Sequence, residues 1–163
     1  MSFTHNDTII SANLIGNPIP SDTFTITVYC HGSPPGDLSG WGGWHQQNGY
    51  FFNLGVGFAA NPHTYGRAWH PCFDNFVERS SYDFYVTTRA PNRPYCNGLR
   101  ISETALVGDP LLTHWQMTDP IPTYLASVAI SNYVEITDTV QGLQAVIPIQ
   151  WMARGSDSSS VSQ

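Results

Sequence analysis

The sequence contains no lysine, and its basic side chains other than histidine are six arginines. With twelve acidic residues, the formal net charge is −6 at pH 7. A protein that binds nucleic acid needs a cluster of basic side chains to neutralise phosphates, so this composition argues against such a partner. Charged residues make up only 11% of the chain and hydrophobic residues 41%, which is typical of a folded domain.

Long apolar segments are also missing. The sequence has no run of about 18 apolar residues, the length that a helix needs to cross a membrane. The first ten residues, MSFTHNDTII, lack the charged segment and apolar core of a signal peptide. Three cysteines, Cys30, Cys72 and Cys96, are too few for a disulfide framework, although one pair is possible. The cellular compartment therefore stays open between cytoplasm, periplasm and cell exterior.

Helical periodicity is absent too, because no amphipathic stretch of three turns occurs. Fourteen glycines and twelve prolines separate short runs rich in Thr, Val, Ile, Phe and Tyr, as in strands joined by turns. Strict alternation from Asp22 to His31 predicts a half-buried strand, and SYDFYVTT alternates in the same way. We predict one all-β domain over residues 1–153, a mixed or antiparallel sandwich, followed by a polar tail at 154–163.

The stretch GRAWHPCFDN places His70, Cys72 and Asp74 at every second position. On a regular strand these side chains would share one face, which could form a metal site or a nucleophile with its base. Pro71 removes a backbone donor and restricts the segment to an edge, bulge or turn, and no CxxC or HxxxH lies nearby. We therefore interpret Cys72 as a buried thiol and Asp74 as a capping or turn residue.

Aromatic and histidine side chains elsewhere offer weaker candidates. Trp41 and Trp44 in SGWGGWHQQNG could form a platform for a sugar, or could anchor the loop to the core. His114 and His63 are interpreted as structural, the first on a strand and the second in a loop of turn residues. No HExxH, GxSxG or phosphate-binding glycine loop is present, so the chain carries no complete active-site motif.

Two ordered segments carry a family resemblance. YGRAWHPCFDNFVERSSYDFYVTT, from Tyr65 to Thr88, and LTHWQMTDPIPTYLASVAISNY, from Leu112 to Tyr133, resemble the N-terminal domain of M1 family zinc aminopeptidases, which are aminopeptidase N-like enzymes. The likeness extends from about Phe24 to Trp151. Between the two segments, YCNG at 95–98 lies where the family has an Asn-Gly strand start. By this resemblance the structural signature of the domain is Arg67, Pro71, Cys72, Phe73, Asp74 and Tyr124.

The resemblance implies a saddle-shaped or sandwich-like β domain that packs on a separate thermolysin-like catalytic domain. In the family the zinc, the HExxH helix, the Gly-x-Met-Glu-Asn motif and the oxyanion-stabilising tyrosine belong to that second domain. We therefore expect no cofactor and no catalytic residue in this chain, with zinc held by the parent enzyme and peptides as its substrates. The chain would supply one wall of the pocket for the substrate's first residue.

The same resemblance identifies candidate pocket residues. Many relatives have a glutamine facing the substrate, and counting back places it near Ala60, Asn61 and Pro62, where this sequence has none. A small, apolar surface is expected there instead. Asp74 is expected to accept hydrogen bonds from nearby backbone or from Arg67.

The ends of the chain also differ from the family pattern. The domain is expected to lack its first strands, and the tail at 154–163 is expected to lead toward the catalytic domain. An exposed sheet edge would then permit self-association. A free-standing carbohydrate-binding module using Trp41 and Trp44 is the alternative function, and a Cys72-centred hydrolase is the third.

Overall fold

The computed structural model describes residues 2–6, 8–13, 15–16, 19, 21 and 23–161. The chain divides into two compact units, residues 1–31 and residues 32–163. Strands account for 50% of the chain and helices for 6%, as predicted for an all-β protein. Within the described ranges, no helix has both the length and the apolar character needed to cross a membrane.

The first unit contains one hairpin, formed by β1 (Ser2–Asn6) and β2 (Ile9–Asn13). The prediction of a half-buried strand from Asp22 to His31 is wrong for its described part, since residues 23–31 form no strand and are exposed. Phe24 and Val28 are 58% and 41% exposed. Alternating side chains give a stable strand only when a second strand satisfies its backbone, and no described residue pairs with this segment.

Besides two short 3-10 helices, the described part of the second unit contains nine strands and a single-turn α-helix. They are β3 (Gly43–Gln47), β4 (Tyr50–Leu54), β5 (Arg79–Thr88), β6 (Arg93–Cys96), β7 (Leu99–Ala105), β8 (Leu111–Pro122), β9 (Val128–Ser131), β10 (Val134–Gln141), β11 (Val146–Ala153) and α1 (Ser158–Val161). One sheet has the strand order β3-β4-β9-β6, another has the order β5-β8-β7, and β10 and β11 form a hairpin. All of these pairs are antiparallel, which confirms the predicted all-β sandwich.

The core lies between the two larger sheets. Phe84 on β5 is buried and its alternate neighbours Tyr82 and Val86 pack against the core, which confirms the alternation seen in SYDFYVTT. Trp115 on β8 is only 1% exposed, and its indole Nε1 donates to the carbonyl oxygen of Pro94 on β6 at 3.1 Å. This hydrogen bond joins one sheet to the other inside the core, where an unpaired indole N–H would be costly.

Two local features position the segments at the two ends of β4. Asn48 and Gly49 both have positive φ, 51° and 80°, as a two-residue hairpin turn between β3 and β4 requires. At the other end of β4, the side chain of Asn53 donates to the Ala126 carbonyl at 3.0 Å and accepts from the Val128 amide at 2.7 Å. These bonds hold the short 3-10 helix that precedes them, Thr123–Leu125, beside β4.

The hairpin of β10 and β11 is attached to the three-stranded sheet by a bidentate ion pair. Glu135 on β10 accepts from Arg100 on β7 at 3.0 and 3.2 Å, and also from Gln150 on β11 at 3.1 Å. Bidentate guanidinium–carboxylate pairs fix orientation as well as distance. The pair therefore sets how the hairpin lies against β7.

Candidate functional site

The segment that carries the resemblance is not a strand. Gly66–Ala68 forms a 3-10 helix, and residues 71–74 follow without regular structure. The one-face arrangement of His70, Cys72 and Asp74 does not form, which confirms the interpretation that Pro71 excludes a regular strand here. In the described part of the chain, no group of three or more potential metal ligands of the His, Cys, Asp and Glu types occurs.

Asp74 is the centre of a hydrogen-bonded cluster, which we call the Asp74 cluster. Its Oδ1 accepts from the Gly66 amide at 3.1 Å and from the Thr123 hydroxyl at 3.4 Å, and its Oδ2 pairs with the Arg67 guanidinium. Arg67 also donates to the Thr64 carbonyl at 2.6 Å, and the Thr64 hydroxyl donates to the Asp74 carbonyl at 3.0 Å. The carboxylate is 6% exposed, so the prediction that Asp74 accepts from backbone and from Arg67 is confirmed.

Close backbone contacts explain two glycines and the place of Tyr124. A Cβ atom on Gly66 would lie 3.0 Å from the Thr123 carbonyl oxygen and 3.2 Å from Asp74 Oδ1. A Cβ atom on Gly55 would overlap the Tyr124 carbonyl. Glycine at both positions allows the 3-10 helix at 123–125 to approach two other segments. Tyr124 thus marks a packing junction, consistent with the structural role implied for it.

Burial favours the neutral forms of His70 and Cys72. Burial, and to a smaller extent nearby Asp74, raise the pKa of the Cys72 thiol to about 11. Burial lowers the pKa of His70, and neither of its ring nitrogens has a hydrogen-bond partner among the described residues. A cysteine nucleophile requires the opposite shifts, a thiolate beside an imidazolium. Cys72 is half-buried rather than fully buried, but its environment matches the predicted unreactive thiol.

All three cysteines are free thiols, so the pair left open by the sequence does not form. Cys30 is exposed, whereas burial raises the pKa of Cys96 to about 12 and that of Cys72 to about 11. We expect iodoacetamide at pH 8 to alkylate Cys30 at least about ten-fold faster than either of the others, because only the thiolate reacts. Peptide mass spectrometry measures the rates.

A Cys30→Ser variant provides the control for this labelling experiment. It should show almost no alkylation at pH 8, and alkylation of Cys72 should begin only as the pH approaches 11. Rapid modification of Cys72 at pH 8 in the folded protein would contradict the assigned environment.

The candidate pocket residues Ala60, Asn61 and Pro62 lie at the tip of a short loop. At its base the Gly57 amide donates to the His63 carbonyl at 2.9 Å, and the imidazole Nδ1 of His63 lies 3.2 Å from the Gly57 carbonyl. Ala60 is half-buried, and the next two residues are exposed. The loop is therefore closed on itself and presents its tip outward. Its contribution to a substrate pocket stays a prediction.

Asp37 anchors that loop to the preceding one, and we did not identify it from the sequence. Its Oδ2 accepts from the amides of Ala59 and Ser39, each at 3.1 Å, and from the Ser39 hydroxyl. The Ser39 hydroxyl is the main cause of a lowered Asp37 pKa. The signal in the sequence was the Asp-x-Ser spacing in GDLSG, which is typical of a side-chain-capped turn.

The aromatic side chains near this loop do not form the predicted tryptophan pair. The Trp41 ring packs on Phe58, with ring centroids 5.9 Å apart and planes tilted by 39°. Trp44 lies on β3, is half-buried, and belongs to no aromatic pair in the described part of the chain. The carbohydrate platform of Trp41 and Trp44 stays an alternative prediction, with Trp41 exposed and Trp44 half-buried.

His114 has two structural partners on the three-stranded sheet. His114 Nε2 lies 2.7 Å from Asp83 Oδ1, and its ring stacks on Tyr85 with centroids 4.2 Å apart. The hydrogen bond from His114 lowers the pKa of Asp83. His114 thus belongs to a satisfied cluster on the sheet, as expected from its place on a strand.

The chain was compared with known proteins by sequence and by structure, and only the structural comparison gives matches. No protein-family model matches the chain, and no curated protein matches its sequence. Solved structures do match: the chain shares the fold of a part of M1 zinc metallopeptidase structures. The resemblance seen in the sequence is therefore confirmed at the level of the fold.

Two of these structures define the extent of the likeness. An M1 zinc metallopeptidase from Deinococcus radiodurans is 20% identical, with a TM-score of 0.58, over 69% of this chain and 25% of its own. A mutant of a two-domain M1 zinc metallopeptidase bound to L-arginine is 22% identical, with a TM-score of 0.62, over 76% of this chain and 28% of its own. The chain thus spans about a quarter of the length of the structures that it matches.

Proposed function

We propose that this chain is the non-catalytic N-terminal domain of a zinc-dependent aminopeptidase. In the intact enzyme it would pack on a thermolysin-like catalytic domain and line part of the pocket for the substrate's N-terminal residue. The observation that carries the proposal is the match of 69–76% of the chain to M1 zinc metallopeptidases, with TM-scores of 0.58–0.62. The Asp74 cluster supports it, because it is built from the residues on which the resemblance depends.

The residues described in this chain do not provide the ligands of a zinc site. No cluster of three or more potential ligands occurs among them, and a zinc site needs three or four. We therefore assign the metal to the catalytic domain of the parent enzyme and derive no catalytic step here. The contributions open to this chain are shape, orientation of the substrate and exclusion of water.

The loop at 57–63 is the part of the chain proposed to face the substrate. Its tip consists of Ala60, Asn61 and Pro62, which are small or short side chains and include no glutamine. Because Ala59 is bonded to Asp37 and Gly57 to His63, the loop is held in one conformation. A rigid, small-residue tip would leave room for a bulky first side chain of the substrate.

The test uses the intact protein encoded by the full reading frame, expressed with zinc and assayed on a panel of aminoacyl-anilides. We expect hydrolysis and one bound zinc per molecule, and neither from the 163-residue chain alone. An Ala60→Arg variant should lower kcat/KM for large and cationic first residues by about ten-fold or more, with unchanged zinc content. Leu143→Arg is the matched control, because Leu143 is fully exposed in the turn between β10 and β11.

Two results would overturn the proposal in different ways. A reading frame without an HExxH segment would remove the assignment to a zinc aminopeptidase. An active enzyme whose preference among anilides is the same for Ala60→Arg as for the control would retain the assignment but remove the pocket role of the loop.

A further inference from the structure

A group of large apolar side chains is exposed beside the Asp74 cluster. Phe73 is 81% exposed, Phe76 50%, Val77 80% and Leu125 47%. We call these four residues the Phe73 patch. The two segments that carry them are adjacent, since the Thr123 hydroxyl lies 3.4 Å from the Phe73 carbonyl. Contiguous exposed apolar surface on a folded domain marks an interaction site more often than isolated apolar residues do.

The backbone beneath the patch is held firmly. Asn75 accepts from the amides of Val77 and Glu78 at 2.8 and 2.7 Å, and its own amide donates to the Phe73 carbonyl at 2.9 Å. The ring of Phe76 packs edge-on against Tyr124, with centroids 5.4 Å apart. The apolar side chains are thus presented outward from a fixed turn.

An ordinary solvated loop directs its polar side chains outward, whereas this turn directs apolar side chains outward and the Asp74 carboxylate inward. The carboxylate of Asp74 points inward, is 6% exposed and is fully paired, while its neighbours Phe73 and Val77 project outward. The turn therefore presents Phe73 and Val77 to its surroundings and keeps the Asp74 carboxylate inside, while Glu78 at its end is exposed. A surface of this kind matches an apolar protein surface better than a charged one.

The patch and the proposed pocket loop belong to one rigid arrangement. Thr64, at the end of that loop, donates to the Asp74 carbonyl, and Arg67 bridges the Thr64 carbonyl to the Asp74 carboxylate. A domain that completes the pocket at Ala60–Pro62 must therefore approach the side of the molecule on which the Asp74 cluster lies. The matched structures extend well beyond the region shared with this chain, which covers 25–28% of their length.

We propose that the Phe73 patch is the surface on which the catalytic domain packs, an inference that rests on the proposed function. Its occupant is an apolar face of that domain within the same polypeptide. The patch and the loop at 57–63 would then form one continuous interface.

Photocrosslinking in the intact protein tests this assignment. p-Benzoylphenylalanine replaces Phe73 in one variant, Val77 in a second and Leu143 in a control, and crosslinked peptides are identified by mass spectrometry. We expect Phe73 and Val77 to crosslink within one molecule to residues beyond 163, and Leu143 not to do so. Crosslinks from Phe73 only to a second copy, or none at all, in an active zinc-loaded enzyme would overturn the inference while leaving the proposed function intact.

A double variant, Phe73→Ser with Val77→Ser, gives a second readout. In the 163-residue chain it should leave the urea midpoint unchanged, because both side chains are exposed without a partner domain. In the intact enzyme it should lower activity by about ten-fold or more at equal zinc content. Unchanged activity in the intact enzyme would overturn the inference. If the intact protein has no zinc and no anilide hydrolysis, the proposed function fails and the inference fails with it.

Discussion

Replacing Trp115 by alanine is expected to lower the free energy of unfolding by about 3–5 kcal/mol, the usual cost of truncating a large buried aromatic side chain. The indole is 1% exposed and lies in the middle of β8. It contacts Tyr95 with ring centroids 6.0 Å apart, and the guanidinium of Arg100 lies 5.9 Å from its ring. Its removal leaves a cavity between the two sheets and an unpaired carbonyl on Pro94.

The measurement is urea unfolding followed by circular dichroism, because Trp115 itself contributes to fluorescence. Trp115→Phe keeps most of the volume but loses the hydrogen bond to Pro94, so we expect a smaller loss of about 1–2 kcal/mol. Trp41→Ala is the matched control and should cost less than about 1 kcal/mol, since Trp41 is 54% exposed. Equal losses for the Trp115 and Trp41 alanine variants would contradict the assignment of the core.

The fold was predictable wherever a local pattern coincided with a paired strand. SYDFYVTT alternates because β5 has one face on the core. The alternation at 22–31 is equally regular, yet residues 23–31 form no strand. A periodic pattern shows which side chains could share a face, but a strand also needs a partner, which the pattern does not provide.

The site was predictable only in part, for a similar reason. Arg67 and Asp74 are seven residues apart, so their pairing could be proposed from the sequence. Thr123 is 49 residues from Asp74, and no local pattern indicates that the 3-10 helix at 123–125 completes the cluster. The inverted polarity of the Phe73 patch was also hidden, because it depends on which side chains the turn directs inward.

Replacing Asp74 by alanine is the second large change, with an expected loss of roughly 2–3 kcal/mol in the free energy of unfolding. The substitution removes the acceptor of the Gly66 amide, one of the two acceptors of the Thr123 hydroxyl, and the carboxylate partner of Arg67, which keeps the Thr64 carbonyl. The side chain of Arg67 is 34% exposed, so water can solvate its charge after the change. The loss should therefore be smaller than for a fully buried ion pair.

The position of the loop at 57–63 depends on this cluster through Thr64, whose hydroxyl bonds to the Asp74 carbonyl. In Asp74→Ala we expect faster amide hydrogen exchange in peptides covering residues 57–68, and unchanged exchange in the hairpin of β10 and β11. Asp74→Asn retains an acceptor for the Gly66 amide but loses the charge, so its effect on both stability and exchange should be intermediate. Exchange that rises equally in loop and hairpin would show that Asp74 stabilises the fold as a whole and does not hold this loop. Faster exchange confined to the loop would mean that the Asp74 cluster determines the shape of the surface that the loop offers to a substrate.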